Sequence, residues 1–184
     1  MDLRYPIGPF KWSSPNTAEQ RKRFIDEIAS TPDLLRRAVA ELGPDQLDTP
    51  YRPDGWTVRQ VVHHVPDSHL NSYTRFKLAL TEDAPTIKPY DESLWAKLGD
   101  VRATPIKVSL DLLDSLHQRW VTLLRSMSNQ DFDRTFKHPE LGIVSLDRNV
   151  ALYAWHGNHH IAHITALRER MGWLRSEERR VGKE

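Results

Sequence analysis

The C-terminal part of the chain contains a periodic pattern of apolar residues with a histidine at its centre. From about residue 147 to residue 171, residues suited to a core recur at alternating steps of three and four, the spacing of a helix that turns one face to a bundle interior. The members of this seam are Val150, Tyr153, Gly157, His160, Ile164, Leu167 and Met171. This periodicity therefore predicts a helix over 147–171 in which the side chain of His160 faces the interior of the bundle.

A first helix is marked near the N-terminus by the segment Thr17–Gln20. This is a capping box, in which a threonine hydroxyl and a glutamine side chain satisfy free amides of the first turn reciprocally. The helix is expected over 17–29. Pro32 is expected either to kink it or to start a second helix, which would end near Gly43.

Two central helices are predicted next. A second capping box, Thr57–Gln60, starts a helix that continues to about Leu80 and should bend at Pro66, because proline removes a backbone hydrogen bond. Another helix is predicted over 106–128 from apolar residues that recur every three or four positions. Its predicted seam consists of Leu112, Leu116, Trp120, Leu123 and Met127.

Two long connections separate these helices. Residues 81–104 carry several prolines and leave room for one short helix near 92–98. Residues 136–146 are predicted to be an extended crossover with a turn at Pro139–Gly142, and no strand ladder is expected. Four principal helices with long connections predict an all-α fold, a four-helix bundle with crossover connections.

Composition restricts the classes of function. A chain of 184 residues is expected to form one domain over 1–174, followed by a charged tail, 175–184, that is either disordered or foreign to the domain. A formal net charge of +1 without a basic cluster argues against nucleic acid as a partner. There is no signal-like or membrane-spanning apolar run, so a cytoplasmic location is expected. Because there is no cysteine, any transition metal must be bound by His, Asp or Glu.

The last predicted helix contains two overlapping pairs of histidines four residues apart. His156 and His160 form one pair, and His159 and His163 form the other. Side chains at this spacing project from one helix face and can share one metal ion, although a single inward histidine is more often a hydrogen-bonded core residue. The seam passes through His160 and close to His156, so we expect His159 and His163 on a more polar flank.

A third ligand is available on the helix that begins at Thr57. Its buried side is marked by Val58, Val61, Val65, Ser72 and Phe76, and His64 borders that side. A facing helix could present His64 to His156 and His160, and three neutral imidazoles favour Zn²⁺, Ni²⁺ or another late divalent ion with one position left open. Asp67, three residues later, is then either an acceptor for a ligand N–H, a base near the open position, or a solvated carboxylate.

No functional role is predicted for the remaining polar and aromatic candidates. His69 and His117 are expected at the surface or at the edge of the core. Trp56, Trp120 and Trp155 are expected to belong to the core rather than to a substrate cleft, since aromatic residues at helical spacing usually do.

Several stretches make the chain resemble the DinB/YfiT-like family, over essentially residues 3–173. The family's fold is a four-helix bundle with a three-histidine metal site, and its ligand pattern falls on His64, His156 and His160. Pro66 departs from the small helix former that this pattern would place beside the ligand. The stretches that carry the resemblance are "YPIGPF" (5–10), "LDTPYRPDGWTVRQVVHHVPDSHLNSYTRFKLALTE" (47–82), "PYDE" (89–92), "FKHP" (136–139) and "YAWHGNHHIAHITALRERMGW" (153–173).

The resemblance implies a cytoplasmic homodimer that binds one Zn²⁺ or Ni²⁺ per subunit and acts as a metal-dependent hydrolase on a small molecule. In such an enzyme the metal lowers the pKa of bound water so that it attacks an electrophile, with Asp67 as a candidate proton acceptor. Some relatives are thiol S-transferases of the bacillithiol type. In this cysteine-free chain the thiol would be a cosubstrate. A non-catalytic metal-binding bundle with a closed fourth position is the third hypothesis.

Overall fold

A computed structural model of the chain describes residues 2–173. Four long helices account for most of this region, and short helices and one hairpin connect them. The tail predicted at 175–184 lies outside the described residues. In chain order the elements are α1 (Ala18–Val39), α2 (Pro44–Leu47), α3 (Val58–Thr81), α4 (Glu92–Trp95), α5 (Gly99–Ala103), α6 (Ile106–Ser126), α7 (Asn129–Asp133), β1 (Thr135–His138), β2 (Gly142–Ser145) and α8 (Leu146–Met171).

The long helices form a bundle in which α1 lies diagonally opposite α3, and α6 lies diagonally opposite α8. Helix α1 packs against α6 and α8, and α3 packs against the same two helices. The connection from α1 to α3 and the connection from α6 to α8 therefore each cross the bundle, which confirms the predicted all-α four-helix bundle with crossover connections. Within residues 2–173, no helix has the length and apolar character that a membrane crossing requires.

Both predicted capping boxes form. The hydroxyl of Thr17 accepts from the backbone amide of Gln20 at 3.2 Å, and the Gln20 side chain accepts from the Thr17 amide at 2.8 Å. The same reciprocal pair joins Thr57 and Gln60 at 3.2 and 2.9 Å. Each box satisfies amides that the helix itself leaves free, so α1 and α3 begin at the positions that the sequence marks.

The two prolines predicted to disturb helices lie inside unbroken helices. Helix α1 continues through Pro32 to Val39, and Gly43, predicted to end a helix, is instead the N-cap of α2. Helix α3 continues through Pro66. Both prolines are buried, and packing of the apolar helix faces outweighs one missing hydrogen bond in each case. Soon after α1 ends, Glu41 adopts the left-handed conformation at φ 64°, which glycine adopts more readily than other residues.

The predicted phase of α6 is partly wrong. Leu112 is 45% exposed, whereas the next residue, Leu113, is fully buried. Helix α6 lies between α1 and α3, and the face that it turns to them includes Leu113 and His117 and leaves Leu112 outside, so the buried stripe is rotated relative to the predicted seam. Met171, the last member of the α8 seam, is likewise 52% exposed.

The connections contain more regular structure than expected. Strands β1 and β2 pair as an antiparallel hairpin, with Phe136 opposite Val144, where only an extended segment was predicted. Both of these side chains are buried in the core, while the intervening turn lies at Pro139–Leu141, as predicted. Helices α4 and α5 replace the single helix predicted near 92–98. Such short elements contain too few residues for a period to be recognised.

Gly157 permits close packing of α1 against α8. A methyl group on Gly157 would lie 2.8 Å from Oγ1 and 2.9 Å from Cγ2 of Thr31. We expect Gly157→Ala to lower the free energy of unfolding by about 1–3 kcal/mol, because overpacking exceeds the gain in helix propensity of about 1 kcal/mol. In a Thr31→Ala background, which removes both atoms, Gly157→Ala should instead stabilise. Urea unfolding of the four proteins tests this, and additive effects would contradict it.

Candidate metal centre

Three histidines converge between α3 and α8. One potential ligand nitrogen from each of His64, His156 and His160 lies within 4.8 Å of the other two. Nε2 of His64 is 3.3 Å from Nε2 of His156. Across residues 2–173, no other set of three or more histidine or acidic side chains is arranged to hold a metal ion in this way.

The surroundings keep these three rings neutral. His64 and His160 are buried, while His156 is partly accessible. Burial lowers the pKa of all three imidazoles, that of His64 to about 4, and repulsion between neighbouring rings lowers the pKa of His156 and His160 further. A neutral imidazole has a free lone pair on one nitrogen, which is the form that binds a metal.

Trp56, immediately before α3, forms one wall of the site. The centre of its indole ring is 4.7 Å from the ring of His64 and 6.4 Å from the ring of His160. Trp56 packs at the edge of the apolar cluster, whereas Trp120 is fully buried, as predicted. The tryptophan therefore fixes the His64 ring and shields it from water on one side.

The second pair of histidines is not on a polar flank as predicted, because the N-terminal segment covers it. His159 and His163 are both buried. Nε2 of His163 donates to the carbonyl oxygen of Arg4 at 3.2 Å, and Tyr51 stacks on its ring at 3.9 Å. The ring of Tyr5 lies 5.9 Å from that of His159. These contacts come from segments far away in the chain, which the helical rhythm of α8 cannot place.

A cavity of about 650 Å³ opens beside His156. The hydroxyl of Tyr90 lies on its wall, close to Ser68 but without a well-formed hydrogen bond. Burial raises the pKa of Tyr90, so its hydroxyl keeps its proton at neutral pH. The lining also includes Arg75, Glu92, His138 and Tyr153. The three-histidine group thus borders a space that can hold a small organic molecule.

Comparison with known proteins places this arrangement in a family. A sequence profile of the DinB superfamily matches residues 27–164. The chain belongs to the DinB superfamily.

Close relatives within the DinB superfamily are similar along nearly the whole chain. A protein of Bacillus cereus strain B4264 named "Putative metal-dependent hydrolase" is 58% identical over 172 residues, which is 94% of this chain and 99% of that protein. A protein of Bacillus mycoides strain KBAB4 with the same description has the same identity and coverage.

Solved structures confirm the fold of this DinB-superfamily protein. YfiT from Bacillus subtilis, described as "a probable metal-dependent hydrolase with an unusual four-helix bundle topology", is 50% identical and superposes with a TM-score of 0.92, over 95% of this chain and 100% of that one. TT2238, "a four-helix bundle protein", superposes with a TM-score of 0.58 at 18% identity, over 79% of this chain and 98% of that one, and supports the fold alone.

Sequence reasoning missed two histidines of the DinB-superfamily bundle. His69 and His117, expected at the surface or the core edge, are 0% and 2% exposed. Nδ1 of His69 lies 2.8 Å from Nε2 of His117, and Nε2 of His69 lies 3.1 Å from Nδ1 of His156. A signal was available for His69, because it falls four residues after Val65 and three before Ser72, on the predicted seam itself.

Asp67 is half-buried on α3. It does not belong to the three-histidine group, and the cavity beside His156 is lined by other residues. Burial and the negative charge of Asp100 raise the pKa of the Asp67 carboxyl to about 6. Its role as a hydrogen-bond acceptor or base stays a prediction.

Asp67 should lower stability at neutral pH. The folded protein holds its proton more tightly than the unfolded chain does, so stability falls as the pH rises from about 4 to about 6, and the loss persists above that range. We expect Asp67→Asn to raise the free energy of unfolding by about 1 kcal/mol at pH 7.5, a figure reduced for the solvent exposure of the carboxyl, and by less at pH 5. Urea unfolding at both pH values measures this. Asp100→Asn is the control and should give a smaller gain, whereas no gain for Asp67→Asn would contradict the raised pKa.

Proposed function

We propose that this protein is a metal-dependent hydrolase in which His64, His156 and His160 hold one divalent ion, Zn²⁺ or Ni²⁺, per subunit. The observation that carries the proposal is the convergence of three neutral imidazoles beside an open cavity. The names given to the Bacillus relatives agree with it.

The geometry of the three rings fits a cation. Nε2 of His64 and Nε2 of His156 lie 3.3 Å apart, so a cation placed between them would accept a lone pair from each ring when both rings carry their single proton on Nδ1. Imidazole nitrogens suit late divalent ions such as Zn²⁺ and Ni²⁺, and three protein ligands leave one coordination position for a further group.

When bound, such an ion acts as a Lewis acid that polarises a substrate oxygen and makes a water molecule more acidic. The chain's own residues then supply binding and orientation. Trp56 excludes water from one side of the ligands. The cavity beside His156 admits the substrate, and His156 is the most accessible of the three rings.

Two side chains of the cavity are suited to stabilise negative charge that develops on a substrate. The Tyr90 hydroxyl is protonated, buried and not committed to a well-formed hydrogen bond, so it can donate one to an oxyanion. Arg75 adds a positive charge to the same wall. Asp67, with its pKa raised to about 6, is suited in acidity to accept a proton, and we retain it as a candidate base.

Thiol S-transfer is the alternative, because a cavity of about 650 Å³ has room for more than a water molecule beside the substrate. The chain has no cysteine, so the thiol would enter as a cosubstrate of low molecular weight. The same three histidines and the same Tyr90 donor would serve that reaction, and the two reactions differ only in the nucleophile.

Metal content and turnover test these functions together. The full-length protein, produced with Zn²⁺ or Ni²⁺ in the medium, should contain about one ion per chain, and less than about 0.2 would overturn metal binding. Hydrolysis of an activated ester should then proceed without added thiol. Turnover of an electrophile that requires a thiol would establish the transferase instead, and a full metal content without either activity would identify a non-catalytic metal-binding bundle.

A further inference from the structure

A line of hydrogen bonds connects His156 to the backbone of α1. Nδ1 of His156 lies 3.1 Å from Nε2 of His69, and Nδ1 of His69 lies 2.8 Å from Nε2 of His117. Nδ1 of His117 lies 2.7 Å from the carbonyl oxygen of Ile28. The four residues lie on α8, α3, α6 and α1, so the line passes through every long helix of the bundle.

The carbonyl at the end of this line is available because of a proline. In an α-helix a carbonyl oxygen normally accepts from the amide four residues further along. For Ile28 that residue is Pro32, which has no N–H and lies inside α1. Nδ1 of His117 supplies the donor that the proline lacks.

The direction of every hydrogen bond follows from this end. A carbonyl oxygen can only accept, so His117 donates from Nδ1 to Ile28. Burial lowers the pKa of His117 to about 4, so at neutral pH the ring has one proton and its Nε2 accepts. His69 therefore donates from Nδ1 and accepts at Nε2, which requires the single proton of His156 to be on Nδ1. Nε2 of His156 keeps its lone pair.

We propose that Ile28, His117 and His69 fix the tautomer and ring orientation of His156 so that Nε2 is presented to the metal. The proposal rests on the proposed metal-binding function. His69 and His117 are positioning residues, because they act on the site only through His156. A free neutral imidazole would divide its population between two tautomers, one of which directs an N–H at the ion.

His160, in contrast to His156, has no hydrogen bond that selects its tautomer. Nδ1 of His160 is buried without a hydrogen-bond partner, so no donor or acceptor there selects its tautomer. Among the three ligand candidates, His156 is the one for which the bundle specifies which nitrogen is free. Loss of such outer partners of a metal ligand typically weakens metal binding about 10–100-fold.

Substitution of His117 separates this role from general support of the fold. His117→Leu removes both polar atoms, and we expect Zn²⁺ affinity, measured by competition with a chelator, to fall about 10–100-fold. His117→Gln retains one donor and one acceptor and should restore most of the affinity. Leu124→Ala is the control for lost stability, because Leu124 is 1% exposed in the same helix and outside the line, and it should leave the affinity within about twofold.

The tautomer itself is measured on the metal-free protein. The ¹⁵N chemical shifts of His156 at pH 7.5 should show a protonated Nδ1 and an unprotonated Nε2 in the wild type, and a mixture of tautomers in His117→Leu. A protonated Nε2 in the wild type, or an unchanged tautomer in His117→Leu, would overturn the proposal. Since this measurement needs neither metal nor turnover, a wild type that binds no metal would remove the proposed function and leave the tautomer result to be judged separately.

Discussion

His160→Gln should weaken Zn²⁺ binding by more than about 100-fold and abolish hydrolysis, whereas His163→Gln should leave Zn²⁺ affinity within about twofold of the wild type. Loss of a residue that only hydrogen-bonds a metal ligand typically weakens metal binding about 10–100-fold, and removal of one of the three ligands themselves should weaken it more. His163 lies one turn after His160 in the same helix, but it does not belong to the converging group and already donates to the carbonyl of Arg4. A glutamine at 163 can still donate a hydrogen bond there.

Chelator competition and metal content of the two variants measure this effect. Because both substitutions replace a buried histidine with the same side chain in α8, a general loss of folding would affect them similarly. Thermal unfolding of the metal-free proteins checks that both are folded. If His163→Gln lost the metal and His160→Gln retained it, the ion would be bound by the other histidine pair, and the assignment of ligands would be wrong.

The fold class and the inward position of His160 could be predicted from the sequence because both depend on local periodicity, whereas the resemblance to a known family, and not periodicity, indicated that His64 meets His156 and His160. The alternating steps through Val150, Gly157 and Ile164 identify the inward face of α8, and His160 lies on that face. Capping boxes at Thr17 and Thr57 fix the starts of α1 and α3 in the same local way. These features need only a few neighbouring residues to be recognised.

What the sequence did not predict depends on contacts between distant segments. The sequence of α8 puts His163 on a polar flank, and only the fold shows that Arg4, 159 residues earlier, lies over it. His117 was missed because the α6 seam was assigned through Leu112 instead of Leu113, and a shift of one residue turns a helix by about 100°. The partner of the Ile28 carbonyl could be found only once α1 and α6 were packed together.

The metal-free protein should lose stability steeply below pH 6.5. Burial lowers the pKa of His64 and His117 to about 4, whereas a histidine in the unfolded chain has its ordinary pKa of 6.5. Between these values the unfolded chain binds more protons than the folded protein, so the free energy of unfolding falls as the pH falls through this window, and the loss saturates below about pH 4. Each of these histidines should contribute a loss of about 1 kcal/mol between pH 6.5 and pH 5.5.

A loss from two histidines is significant against a total stability of about 5–15 kcal/mol. Burial raises the pKa of the carboxyls of Asp67 and Glu92, which has the opposite effect on stability, but both side chains are reached by solvent and their effect is too small to cancel the loss. Urea unfolding at pH 7.5, 6.5 and 5.5 in the presence of a chelator measures the loss. The His117→Gln protein has one histidine fewer to take up a proton when it unfolds, so its free energy of unfolding should depend less steeply on pH.

Added Zn²⁺ should raise the free energy of unfolding at pH 7.5, because it binds only the folded protein, and its effect should fade at lower pH as protons compete for the ligand nitrogens. If the free energy of unfolding of the metal-free protein stayed constant from pH 7.5 to 5.5, the buried imidazoles would have the same pKa in the folded and unfolded protein. That result would contradict the inference that burial keeps the rings at the centre of the bundle neutral.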